Sequence, residues 1–174
     1  MRKLKYYVAC SVDGFIAHKD GSFDGFLFQG NHVQDYIESL NLFDVVLMGR
    51  KTYEVGLKEG KTNPYPRMKS YVFSRTMKES LDEKIELISE NAGALVKSLK
   101  NATGKDIYLC GGANLATTFL AENLIDEIIL KVNPFFMGSG IPLFAGIIEQ
   151  TILELINSKI YPNGVLLLNY QVKY

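Results

Sequence analysis

The chain has 174 residues, enough for one domain with a sizeable core. Its 19 Lys and Arg balance 19 Asp and Glu, which excludes the basic excess of a non-specific nucleic-acid binder but leaves room for a small local basic site. Its two cysteines, Cys10 and Cys110, sit in no CxxC or Cys/His cluster, so no metal site is expected. No stretch reaches the roughly 18 apolar residues of a membrane span, and the amino terminus lacks the apolar core of a signal peptide. These readings lead us to expect a cytoplasmic protein with free thiols, bound to neither membrane nor nucleic acid.

Lys3–Cys10 is rich in strand formers and reads as a first strand. "SVDGFIAHKDGSFDGFLFQG" follows as a long loop with little helical period, of a length that is often functional. Val33, Tyr36, Ile37 and Leu40 recur near helical spacing, with Asn31 as the expected N-cap. "DVVLMG" is a short apolar run of the buried parallel type, and "KSYVFSR" and "KIELIS" are further strands. "NAGALVKSLKNATG" reads as a helix with Gly104 at its carboxyl end. "DIYLC" is a buried strand meeting Gly111 and Gly112, "ANLATTFLAENL" a helix, and "DEIILKVNPFF" a long strand. Asn163-Gly164 lies between two strand-like runs and predicts a closing hairpin. The alternation defines a single α/β domain over residues 1–174, with a mostly parallel sheet, helices on its faces and an antiparallel tail at one edge.

Ligands of open α/β sheets sit beyond the carboxyl ends of the strands. Three such ends stand out. In Gly49-Arg50-Lys51-Thr52 a strand runs into the start of a helix, where free N–H groups, a hydroxyl and two cations favour an anion. Ser74-Arg75-Thr76 repeats an Arg beside hydroxyls and suggests a second phosphate. Gly111-Gly112-Ala113-Asn114 lets a ligand approach bare backbone, although it is neither a GxGxxG nor a Walker loop. Taken singly, each also reads as an ordinary solvated or tight turn. Together they describe a ligand with separated anionic groups and a flat body, as in a dinucleotide. Ile16 and Ala17, after the Asp13-Gly14 turn, could line a planar ring or simply pack the loop. Asp35 is a candidate catalytic acid, with a surface helix position as the competing reading. His18 and His32 flank the long loop and read as solvent-facing.

Five segments, "VACSVDGFIA", "VVLMGRKTYE", "YVFSRT", "IYLCGGANLATTFLAENLIDEIIL" and "PFFMGSGIPLF", resemble the dihydrofolate reductase-like superfamily. More closely, they are similar to the stand-alone relatives of the riboflavin-biosynthesis reductase domain, the RibD C-terminal-like branch. The resemblance implies a three-layer α/β/α fold on a mixed, mostly parallel eight-stranded sheet. It implies NADPH as hydride donor, a homodimer, and a first loop that acts as a lid on Gly14, Gly21 and Gly25. It places Ala9, Ile16 and Ala17 around the nicotinamide and gives Gly49, Lys51 and Thr52 the pyrophosphate. Arg50, Ser74 and Arg75 would meet the 2′-phosphate, and Gly111, Gly112, Ala113 and Asn114 would form the wall behind the cofactor.

The chain departs from both branches. It has no Trp for the first loop of a dihydrofolate reductase, and Arg67 falls one position out of register for the folate tail. Phe15 stands where the riboflavin reductase has Lys, and the His-x-Glu and Cys-x-x-Cys of the fused deaminase are missing. The expected activity is reduction of a small pterin- or pyrimidine-like heterocycle, of the 5-amino-6-(5-phosphoribosylamino)uracil reductase type. The alternatives are a true dihydrofolate reductase and a non-catalytic nucleotide-binding protein.

Overall fold

In the computed structural model, which describes residues 1–146 and 149–174, ten strands and four α-helices follow in chain order. They are β1 Leu4–Ser11, β2 Phe15–Ala17, α1 Asn31–Ser39, β3 Phe43–Gly49, α2 Arg50–Lys58, β4 Lys69–Phe73 and β5 Ile85–Ile88. Then come α3 Ala92–Asn101, β6 Asp106–Gly111, α4 Ala113–Ala121, β7 Glu127–Asn133, β8 Ile141–Pro142, β9 Ile152–Ile160 and β10 Leu166–Lys173. Eight strands form one sheet in the order β5-β4-β3-β6-β1-β7-β10-β9. The first six of these run parallel, β10 runs antiparallel to β7, and β9 runs antiparallel to β10.

The apolar run of β3 is explained by helices on both faces of the sheet. Leu47, Leu109 and Ile128 pack with Val96 of α3 and Phe119 of α4. Val46, Tyr108 and Ile129 pack on the opposite face with Tyr36 of α1 and Tyr53 of α2. Six parallel strands therefore deliver their carboxyl ends to one edge, while the tail hairpin only lengthens the sheet sideways. Its turn has Gly164 at φ 87°, a conformation that suits glycine.

Three local expectations are corrected. Helix α1 is capped by Gly30 rather than Asn31, which is already helical. Helix α3 stops at Asn101, and Gly104 lies beyond it at φ 149° in the turn before β6. The long first loop contains β2, paired antiparallel to β8 as a small second sheet. That pairing is very close: a Cβ on Gly140 would lie 2.4 Å from the Ala17 carbonyl oxygen, so only glycine fits.

Candidate functional site

Two helix starts meet at the carboxyl edge of the sheet. Gly49 caps α2 and Gly112 caps α4, and neither helix has a capping side chain or an acidic residue in its first turn. Their leading N–H groups are thus available to an anion. A Cβ on Gly49 would come 3.4 Å from the Gly112 nitrogen, and one on Gly112 would come 3.2 Å from Thr52 Oγ1. Gly111, with φ 124°, is joined to Gly112 by a cis peptide. Bare backbone from two strand ends and one hydroxyl therefore form a single cradle that added methyl groups would fill. Thr117 and Thr118 donate to carbonyls four residues back, whereas Thr52 Oγ1 is bonded to no described residue.

The predicted cations are arranged differently from one another. Arg50 Nη1 reaches Glu54 Oε1 on its own helix at 2.6 Å. Lys51 and Arg75 are exposed. Ser74 is buried, and its Oγ accepts from the backbone N–H groups of Thr76 at 3.2 Å and Met77 at 2.9 Å. Ser74 thus shapes the turn that presents Arg75. Ala113 is buried and Asn114 is exposed at the start of α4.

Ala9, near the carboxyl end of β1, pairs with Lys131 of β7. Ile16 and Ala17 lie on β2, whose loop is tied down by Asp13. The Asp13 carboxylate accepts from the N–H groups of Met137 at 3.0 Å and Gly138 at 2.7 Å, and from Ser11 Oγ at 2.6 Å. The Met137 bond leads this set, which carries the Asp13 pKa down to about 2. The turn signal in the sequence located Asp13 but not this clamp between the first loop and the β7–β8 connection.

On the α1 side lies a wall of hydroxyls that sequence patterning did not reveal. Tyr36 Oη meets Tyr65 Oη at 3.2 Å and Tyr108 Oη at 3.1 Å, and Tyr65 Oη meets Cys110 Sγ at 3.4 Å. Burial raises all four pKa values, so these groups stay neutral and act as hydrogen-bonding surface. Cys10 is a buried free thiol and Cys110 a partly buried one.

Asp35 faces the tail hairpin. Its carboxylate is paired with Lys159 of β9 and accepts from Tyr161 Oη at 2.6 Å. The Lys159 hydrogen bond, then that of Tyr161, hold its pKa below the ordinary value. At neutral pH the group is an anion, and a proton-donor role requires release from Lys159. His32 corrects the solvent-facing expectation: it is 1% exposed, with Nε2 2.9 Å from the Leu27 carbonyl and Nδ1 accepting from Asn163 Nδ2 at 3.1 Å. His18 is partly buried, with Nε2 3.0 Å from the Asp24 carbonyl.

A broad hollow of 880 Å³ opens at the other end of the strands, lined in part by Arg2, Lys5, Lys100 and Asp106. Arg2, Lys5 and Lys100 already pair with Asp44, Asp106, Asp126 and Glu127, and Lys105 Nζ donates to the Asn41 carbonyl at 2.8 Å. Among the described residues, no group of three or more His, Cys, Asp or Glu could hold a metal ion, and no helix is long and apolar enough to cross a membrane.

The sheet order and the flanking helices define a dihydrofolate reductase-like α/β protein. Within that class the chain belongs to the RibD C-terminal domain family, whose model matches residues 2–167. It is 38% identical over 165 residues to the uncharacterized protein YwjB of Bacillus subtilis strain 168, covering 94% of this chain and 95% of that one. It is 33% identical over 180 residues to YyaP of the same organism, covering 97% and 94%. A protein from Shewanella sp. PV-4 named for riboflavin biosynthesis superposes over the whole of both chains with a TM-score of 0.84 at 27% identity. The fold also matches 57% of a Thermotoga maritima diaminohydroxyphosphoribosylaminopyrimidine deaminase/5-amino-6-(5-phosphoribosylamino)uracil reductase, covering 99% of this chain, with a TM-score of 0.75 at 15% identity.

Proposed function

We propose that the protein is an NADPH-dependent reductase of a small pterin- or pyrimidine-like heterocycle, of the 5-amino-6-(5-phosphoribosylamino)uracil reductase type. The observation that carries this reading is the bare cradle of Gly49, Gly111 and Gly112 facing Thr52 at two helix starts that have no capping side chain. A pyrophosphate needs this combination of N–H donors, a hydroxyl and no intruding Cβ. Family membership supports the reductase class.

NADPH would supply the hydride. Gly49, Lys51 and Thr52 would hold its pyrophosphate, and Arg50, Ser74 and Arg75 would frame the 2′-phosphate, with Arg75 giving the free charge. Ala9, Ile16 and Ala17 would border the nicotinamide, against the wall of Gly111, Gly112, Ala113 and Asn114. The acceptor would lie on the α1 side, where neutral tyrosine hydroxyls orient polar ring atoms and the first loop excludes water. In the same reading the chain acts as a homodimer through β9. All nine residues of this edge strand are exposed, among them Ile152, Leu155, Ile156 and Ile160.

The test is titration with NADPH and NADH, followed by energy transfer from the ten tyrosines to the nicotinamide. Binding of NADPH at least tenfold tighter than NADH supports the reading. Binding of neither means that the cradle holds another ligand.

A further inference from the structure

Lys131 is an anomaly among the lysines. Three lysines of the described residues are partly buried: Lys5, Lys100 and Lys131. Lys5 pairs with Asp106 and Glu127, and Lys100 with Asp126. Lys131 has no carboxylate within ion-pair distance among the described residues. Its Nζ instead lies 5.3 Å from the centre of the Tyr36 ring. Burial lowers its pKa, with no charged group offsetting the loss of solvent.

The surroundings explain why no internal partner reaches it. Glu127 is on the same face of β7, but four residues of strand separate them by roughly 13 Å. Glu127 is engaged by Lys3, Lys5 and Asn169. Asp35, next to Tyr36 on α1, is engaged by Lys159 and Tyr161. The strand neighbours of Lys131 are Ala9 and Leu167. The ring that carries its ammonium also donates or accepts at Tyr65 and Tyr108, so the cation stands at one end of the hydroxyl wall. A desolvated and unpaired charge is costly unless something outside the chain meets it.

We propose that Lys131 is a specificity-determining residue whose ammonium receives an anionic oxygen of the acceptor, selecting a planar heterocycle with a negative substituent directed toward Tyr36 and away from the glycine cradle. This rests on the reductase reading for the identity of the site. The probes are orotate and uracil, planar rings that differ by one carboxylate, each titrated in the presence of saturating NADPH.

The wild-type protein should bind orotate about tenfold or more tightly than uracil. Lys131→Met should abolish that preference, and Lys131→Arg should keep most of it. Failure of wild type to bind either probe, equal binding of the two, or a preference that survives in Lys131→Met would overturn the proposal. NADPH titration of the same samples separates the two levels, because loss of NADPH binding in wild type strikes the reductase reading itself. Thermal melting supplies a second check. Lys131→Met should melt no lower than wild type, since it replaces a desolvated charge by an apolar chain of similar length. A lower melting temperature would assign the ammonium a structural role and count against the proposal.

Discussion

The guanidinium of Arg50 is bound to Glu54 one turn along α2, with Nη1 and Oε1 2.6 Å apart. A 2′-phosphate arriving at this helix start must compete with that carboxylate. Glu54→Gln should therefore tighten NADPH roughly two- to fivefold while leaving NADH unchanged, a size set by the weakness of exposed ion pairs. Parallel titrations of the two nucleotides check this, and equal gains for both would remove Arg50 from 2′-phosphate recognition.

The cradle predicts a steric effect. Gly112→Ala places a methyl 3.2 Å from Thr52 Oγ1, in the space assigned to the pyrophosphate. NADPH should bind about tenfold more weakly, or about 1.4 kcal/mol, with little change in melting temperature. A variant that melts normally and binds NADPH as well as wild type would locate the phosphates elsewhere.

Asp13 makes the loop clamp dependent on pH. Its pKa is depressed to about 2, so the stabilisation is fully present above the ordinary Asp value of about 4 and is lost as pH falls toward 2. Asp13→Asn should increase proteolytic nicking of residues 12–30 at neutral pH and flatten the acid response of that segment. Unchanged nicking would show that the β2–β8 pairing suffices to hold the loop.

Asp35 is an anion tied to Lys159 and Tyr161. Its depressed pKa means that the tie is complete above about pH 4 and weakens as pH falls through the folded value. Asp35→Asn should slightly lower the urea midpoint at pH 7, leave NADPH binding unchanged, and narrow the gap from wild type in acid. Loss of turnover at full NADPH affinity would instead assign Asp35 to the proton-transfer step.

The exposed edge strand predicts the assembly. Sedimentation at micromolar concentration should show a dimer, and joint replacement of Leu155 and Ile156 by Lys should raise its dissociation constant at least tenfold. A wild-type monomer would contradict the dimer outright.

Much of the fold was legible from local pattern. The buried runs around Val46 and Leu109, the helical spacing of α4 and the Asn163-Gly164 turn depend on periods and turn chemistry that a linear chain displays. The "MGRKT" and "CGG" segments could likewise be placed at strand ends, because a strand running into a helix is a local event. Pairings between residues far apart in the chain were not legible. Tertiary structure alone brought Thr52 against Gly112, tied Asp13 to Met137 and Gly138, buried His32 under Asn163, and diverted Asp35 to Lys159. It also left Lys131 on the Tyr36 ring without a counter-ion among the described residues. The sequence by itself determined the elements and their order, since these follow from neighbours a few positions apart. Only the packed sheet decided which charges are neutralised, because that depends on which side chains meet across strands.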